Sequence, residues 1–382
     1  MILPLLFLSG GTPAWSTQDV DLERFGKALE RVVGKIRPAV VGVKIVERVE
    51  NKDGASVNDE SPTVLAYRKR TLLQASGIIL TKSGEVATLL TGGLPEVDED
   101  GERLFEITLY DGEVFAARWK ATDAKTGITL LQIQEAPKLQ AVRISRENKL
   151  QPGSTIIGLG GSIHLGQVSR LDRGVFNESF FFPRTIQTNL PALPGDVGGL
   201  LADTSGNMVG MLAFAFQREQ GGLWGPKHSR GVNAMFGANA ATLTLDTKGM
   251  VCAVPADLLL RICKELRSRG TLVRGYVGAH FGFRSRADLH KIGQKYKQGG
   301  AQVWKVDPNG PAHQAGLRPM DIIFKIEERE IKTRADLHWF CEQVEYGPLG
   351  KAFKVNYLRI SKEFSGLRQT TITITRTPPP AK

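Results

Sequence analysis

Hydrophobic positions along this chain change their period several times. Between Asp19 and Ile36, the residues Leu22, Phe25, Leu29, Val32 and Val33 recur at helical spacing among charged residues. That spacing predicts an amphipathic helix. Pro38 ends it, and the run Ala39-Val40-Val41-Gly42-Val43-Lys44-Ile45-Val46 predicts a strand. Glu47 to Pro62 is polar and reads as a loop; Leu72 to Leu80 reads as the next strand, with Ser83-Gly84 at a turn. Phe105–Tyr110 and Glu113–Trp119 flank Asp111-Gly112, a strong hairpin signature. Ile128–Ile133 is a further apolar strand. After Pro152-Gly153 a second series follows, with strands near Thr155–Leu159, Thr185–Thr188 and Met208–Phe216. Two clusters of strands between about Val40 and Val254 suit two small antiparallel barrels. Gln217–Thr247 is longer and richer in Gly and Asn than a connection needs, so it reads as an insertion. Pro255–Arg269 is helical, with Leu258, Leu259, Ile262, Cys263 and Leu266 on one face and Gly270 at its end. Beyond it, Thr271–Thr377 mixes strands with two short helices, and Pro378-Pro379-Pro380 reads as a tail.

The chain has 382 residues, which implies two or three domains. Its net charge is +11, and residues 274–382 carry +9 of it, with 19 Lys and Arg against 10 Asp and Glu. No nucleic-acid module or dense basic run accompanies that charge, so a solvated basic surface is the better reading and no nucleic-acid partner is expected. The three cysteines, Cys252, Cys263 and Cys341, show no metal-ligand spacing, and no cofactor is expected. Met1–Leu8 is apolar, and Ala14-Trp15-Ser16 suits a small-x-small cleavage site, although no Lys or Arg precedes the run. This incomplete leader points to export: periplasmic, envelope or secreted. No stretch is long and apolar enough to span a bilayer as a helix.

The segment Leu193-Pro194-Gly195-Asp196-Val197-Gly198-Gly199-Leu200 reads like the nucleophile loop of a chymotrypsin-like serine protease. The serine slot, between Gly-Asp and Gly-Gly, holds Val197, which has no atom able to attack a carbonyl. Other segments agree in order. Arg37–Val41, Ala75–Leu80, Ala121–Leu131 and Met250–Pro255 resemble successive segments of the HtrA (Deg) family. The resemblance covers nearly the whole chain after residue 19. It implies a mainly β fold: a chymotrypsin-like double antiparallel β-barrel, then an α+β PDZ domain. The implied divisions are a possible signal segment at 1–18, the barrels with their N-terminal helix at 19–254, a linker helix at 255–270, the PDZ domain at 271–378 and a tail at 379–382.

Carried over residue by residue, the family's histidine position falls on Thr91, its aspartate on Gly127 and its serine on Val197. No catalytic residue is then assigned. Losing such a triad lowers turnover by about a millionfold. An oxyanion hole made of backbone N–H groups would survive at Gly195 and Val197. Those loop glycines equally suit a tight turn that only packs the second barrel. Ser162 with His164, and Ser229 with His228, are candidates for a relocated nucleophile, but no orienting acid is identifiable in the sequence.

The C-terminal domain resembles the family more fully. Gly275, Tyr276, Val277 and Gly278 match its carboxylate-binding loop, and Ala279, His280 and Phe281 its first binding strand. Pro311–Leu317 matches a short helix, and Met320 stands where the family has glycine. Arg334–Val344 would flank the peptide groove, with Leu337 and Phe340 or Cys341 as wall residues. The implied activity is capture of peptide or protein C-termini by a catalytically inactive protease homologue, as an adaptor or chaperone-like partner in protein quality control. Two other readings stand beside it: an active serine endopeptidase with a displaced nucleophile, and a structural oligomerisation scaffold. The resemblance also implies a homo-oligomer, a trimer packed through N-terminal residues such as Leu22 and Phe25.

Overall fold

A computed structural model of the chain describes residues 22–50, 67–90, 94, 102–135, 138–145, 150–176, 181–191, 193–216, 250–291, 299–360 and 365–376. The leader-like segment, the Gln217–Thr247 insertion with His228 and Ser229, and Thr91 lie outside the described residues.

The N-terminal helix runs over Leu22–Ile36 and a 3₁₀ turn at Arg37–Ala39 follows it, with Pro38 where a first-turn proline lacks no needed donor. Six strands then close the first barrel: β1 (Val40–Glu50), β2 (Tyr67–Ile79), β3 (Glu85–Leu89), β4 (Glu102–Thr108), β5 (Val114–Thr122) and β6 (Ile128–Ile133), in the order β1-β2-β3-β6-β5-β4. Six more close the second: β7 (Thr155–Leu159), β8 (Ile163–Phe176), β9 (Phe181–Thr188), β10 (Leu200–Asp203), β11 (Met208–Phe216) and β12 (Met250–Pro255), in the order β10-β11-β12-β9-β8-β7. All pairings within the barrels are antiparallel. The double barrel is the chymotrypsin-like fold, as the sequence implied.

Three strands depart from their patterns. β1 continues through Glu47–Glu50, which reads as loop, because it pairs with β2 on one edge and β4 on the other. Ladder hydrogen bonds override the polar character of those residues. Glu85–Leu89 has no alternation to mark it as β3, since every residue in it is buried. β8 is likewise hidden by its Gly, Ser and charged residues.

Each barrel has its own apolar filling, and a third cluster joins them. That cluster includes Ile78, Leu89 and Leu130 from the first barrel, Ile157, Leu159 and Leu200 from the second, and Leu259, Ile262 and Leu266 from the joining helix (Ala256–Arg269). The barrels are therefore one packed body with the helix laid across the seam. Gly270 ends that helix in the left-handed conformation, donating its N–H to Leu266 O at 2.9 Å.

The C-terminal domain has a six-stranded sheet made of β14 (Ala279–Arg284), β15 (Gly300–Val306), β16 (Ile322–Ile326), β17 (Arg329–Glu330), β18 (Ala352–Ile360) and β19 (Ser365–Thr373). A separate pair is formed by β13 (Gly275–Tyr276) and β20 (Thr375–Arg376). Its longest helix, Arg334–Tyr346, begins with a capping box between Thr333 and Asp336. Phe340 is its central core residue, with ring centroids 5.6 Å from Phe281 and 5.4 Å from Phe353.

Candidate functional site

The crevice between the barrels is stitched by short polar contacts. Ser76 N donates to Val197 O at 2.9 Å, and Ser76 Oγ donates to Gly195 O at 2.6 Å. Thr88 Oγ1 donates to Ser76 O at 2.7 Å, so β2, β3 and the 193–199 loop meet at one serine. Gly198 has φ +86° there, and a Cβ on it would lie 2.2 Å from Ser76 O. Only glycine fits that approach. Gly127 O accepts the N–H of Leu90 at 2.8 Å, which brings the aspartate position against the residue that precedes Thr91. A Cβ on Gly198 would also lie 3.1 Å from Leu89 N, so the 193–199 loop and Gly127 both adjoin the strand end at Leu89–Leu90. Val197 is partly buried, its hydrocarbon side chain packed against the cluster that joins the barrels.

Among the described residues, Asp196 N, Gly198 N and Gly199 N donate to backbone carbonyls, whereas Gly195 N and Val197 N donate to none. Pro194–Asp196 is a 3₁₀ turn, and Asp196 N donates to Leu193 O at 2.9 Å.

The residue that the sequence did not reveal is Asp196. Its carboxylate is 1% exposed and accepts four groups. Oδ1 takes Ser162 N at 2.9 Å and Ser162 Oγ at 2.8 Å; Oδ2 takes Leu193 N at 2.9 Å and faces His164 Nε2 at 2.9 Å. His164 Nε2 also lies 2.8 Å from Ser162 Oγ. A serine, a histidine and an acid therefore do come together, which corrects the expectation that no acid accompanies Ser162 and His164. Their arrangement is not that of a relay. In a relay the imidazole takes the serine proton at one nitrogen and holds the acid at the other. Here one nitrogen faces both partners, and the serine hydroxyl points at the carboxylate. With both Asp196 oxygens already accepting backbone N–H groups, Nε2 is the donor. The cluster is a clamp that fixes the β7–β8 turn to the 193–199 loop. A buried carboxylate directly before the Val197 slot was its one sequence signal.

In the C-terminal domain, Gly275 and Tyr276 pair with Arg376 and Thr375. A Cβ on Gly275 would fall 2.1 Å from Val344 O, so the loop rests on the groove helix and its first position needs glycine. Tyr276 Oη donates to Asp307 Oδ2 at 2.7 Å. Val277 and Gly278 offer their carbonyls to Ala312 N and Asp307 N, each at 2.8 Å. Among the described residues, neither of their N–H groups donates to a backbone carbonyl. β14 pairs only with β15 and forms an edge of the sheet beside the groove helix. His280 is exposed, while Ala279 and Phe281 are partly buried. Leu337 is 5% exposed and Phe340 0%, so Phe340 supports the groove from below rather than lining an open wall. Cys341 packs partly buried against the same core, and burial pushes its thiol up to about 12. Met320 takes φ +76°, the conformation for which the expected glycine is suited, and its Sδ accepts Gln302 Nε2 at 2.9 Å.

The groove helix also faces the barrels. Arg274, 8% exposed, donates from Nη1 and Nη2 to the two oxygens of Asp123 at 2.6 and 2.5 Å. Glu345 lies against Nε of the same guanidinium without hydrogen-bond alignment, and Lys125 Nζ is 3.7 Å from it. Burial pushes the Glu345 carboxyl above its usual range despite those two cations. Arg184 joins Glu342 to Asp257 of the joining helix, at 3.0 and 2.5 Å. Asp123 begins the turn that contains Gly127, accepting Thr126 N and Gly127 N. Arg274, which precedes Gly275, is therefore anchored in the turn that contains Gly127.

This geometry is that of a trypsin-like peptidase domain joined to a PDZ domain. Residues 73–211 match the trypsin-like peptidase domain family, and residues 279–365 match the PDZ domain family. In sequence the chain is similar to proteins named HtrA and DegP. It is 25% identical over 358 residues to "Serine protease Do-like HtrA" of Bacillus subtilis, covering 87% of this chain and 70% of that protein. It is 27% identical over 362 residues to "Putative serine protease HhoB" of Synechocystis, covering 87% and 76%. With "Periplasmic serine endoprotease DegP" of Escherichia coli it shares 25% over 270 residues, 69% of this chain and 51% of that one. Among solved structures, "HtrA-type protease AlgW with decapeptide" superposes with a TM-score of 0.65 at 20% identity, covering 92% of this chain and 99% of the other. The serine endoprotease from Yersinia pestis gives 0.55 at 21%, with 92% and 98% covered. At these identities the solved structures speak for the fold.

Proposed function

We propose that this protein is a catalytically inactive protease homologue that captures the C-termini of peptides or unfolded proteins through its PDZ domain. The observation that carries the reading is the open edge of β14 beside the free N–H groups of Val277 and Gly278. An extended peptide would add a strand there and place its terminal carboxylate on those donors. Its last side chain would lie over Phe281, Leu337 and Cys341. Inactivity is supported by Val197 and Gly127 in place of a nucleophile and an orienting acid. Gly195 N and Val197 N donate to no backbone carbonyl among the described residues, which supports a residual oxyanion hole at those two positions. An adaptor or chaperone-like role in protein quality control follows from binding without cutting. Relatives named periplasmic support export.

The test is fluorescence anisotropy with the full chain and labelled peptides ending in an apolar residue. Saturable binding that disappears when the peptide C-terminus is amidated is expected; binding of neither form sinks the proposal. The contact between Ser162 Oγ and His164 Nε2 favours a second reading, hydrolysis from a displaced nucleophile. Labelling of Ser162 by a fluorophosphonate probe would establish it. The exposed Phe25, 52% accessible on the N-terminal helix, favours assembly into a homo-oligomer, which sedimentation of the full chain measures.

A further inference from the structure

A separate cleft of about 810 Å³ opens where the N-terminal helix meets both barrels. Four segments wall it: the helix end at Gly34–Ile36, the turn containing Lys82, the inter-barrel connection Gln140–Arg143, and Ser205-Gly206 of the second barrel. Three of them bring a cation: Lys35, Lys82 and Arg143. None of the three makes an ion pair among the described residues, and no acidic residue lines the cleft. Buried apolar residues, Ile36, Ala39 and Val142, lie between them.

The walls are fixed by bonds that do not involve the cations' side chains. Gln140 Nε2 donates to Lys35 O at 2.5 Å, Val142 N to Ile79 O at 2.9 Å, and Met208 N to Arg143 O at 2.7 Å. The first of these covers a carbonyl at the helix C-terminus, where exposed carbonyls would repel an anion. Like charges held around one concavity without counter-charges raise the local positive potential, because low-dielectric walls focus the field. The volume is in the range of small-molecule sites, which combine an apolar lining with a few polar groups.

We propose that this cleft binds a small organic anion, with a carboxylate or phosphate head among Lys35, Lys82 and Arg143 and an apolar body against Ile36, Ala39 and Val142. This site is independent of the PDZ groove and of the crevice at Val197. The probe is decanoate, titrated calorimetrically into the full chain below its micelle concentration, with decanol and inorganic phosphate in parallel. Saturable decanoate binding that weakens as salt rises is expected, with much weaker binding of either control. The combined Lys35→Gln, Lys82→Gln and Arg143→Gln variant changes only exposed side chains and should bind decanoate roughly tenfold or more weakly. In the unaltered protein, a diazirine-bearing decanoate should crosslink to residues 34–39 or 140–143. Unchanged affinity in the triple variant, or crosslinks confined to residues 275–284 and 334–346, would overturn the proposal. Phosphate binding as tightly as decanoate would overturn its organic part.

Discussion

On the proposed reading of Gly127 and Val197, a single substitution does not supply the chemistry. Val197→Ser supplies a hydroxyl but no base to activate it, because Thr91 and Gly127 stand at the other two positions. Casein hydrolysis by that variant should stay at background. Gly127 has φ +73°, so an aspartate there would also carry about 1 kcal/mol of backbone strain. Asp196 matters for stability instead. Asp196→Ala would orphan Ser162 N and Leu193 N beside the crevice, and should destabilise the barrels by roughly 3 kcal/mol in urea unfolding. An Asp196→Ala variant of unchanged stability would contradict the clamp. The cysteines make a third residue-scale case. None of the three is in a disulfide, and burial pushes the Cys263 and Cys341 thiols up to about 12. Little thiolate exists at neutral pH. The folded protein should therefore react slowly with a disulfide reagent, whereas denatured protein should titrate all three thiols promptly.

Between elements, charged side chains do what hydrophobic packing does within them. Arg274 ties the carboxylate-binding loop to the β5–β6 turn through Asp123. Arg274→Ala would leave Asp123 buried without its cation, and removal of one partner from a buried pair costs about 3–5 kcal/mol. Proteolysis near residue 270 should then become faster, while Arg274→Lys should recover only part of the loss, because a lysine cannot engage both carboxylate oxygens in fork geometry. Glu85 on β3 is a second such joint, held by Arg267 of the joining helix and by Lys120. Burial opposes its charge, yet the two cations outweigh burial and hold its carboxyl below the usual range. A depressed folded pKa means that this stabilisation is present above the unfolded carboxylate pKa, near 4.3, and is lost as pH falls through the lower folded value. Glu85→Gln should therefore narrow the stability difference from the parent protein as pH drops below about 4, measured by urea unfolding at successive pH values.

At the scale of the molecule, the two barrels, the joining helix and the PDZ domain form a connected path. The PDZ loop leads through Arg274 and Asp123 to Gly127, and Gly127 O meets Leu90 N beside the position of Thr91. The groove helix adds Glu342 and Glu345 on the side facing the barrels. A peptide that shifts this helix would be felt at those pairs. If the proposed capture of C-termini holds, Arg184→Ala should change peptide affinity even though Arg184 lies on β9, outside the groove. Anisotropy titration of that variant measures the change. Among the described residues no helix is long and apolar enough to cross a membrane.

Periodicity and punctuation were enough for the amphipathic helix, the Asp-Gly hairpin, the joining helix and the double-barrel pattern, because each depends on residues close in sequence. The reading of Val197 also rests on the sequence alone, since a side chain without oxygen or sulfur has no atom able to attack a carbonyl. β3 and the far end of β1 escaped, as burial on both faces and ladder pairing erase the alternation that marks a strand. The Asp196 clamp escaped because its partners are 32 and 34 residues away. Arg274 and Asp123 are separated by 151 residues, and no local pattern couples them. The cleft among Lys35, Lys82 and Arg143 likewise exists only once three distant segments are packed together. Chain-local chemistry was written in the sequence; convergence of distant charges required the closed barrels.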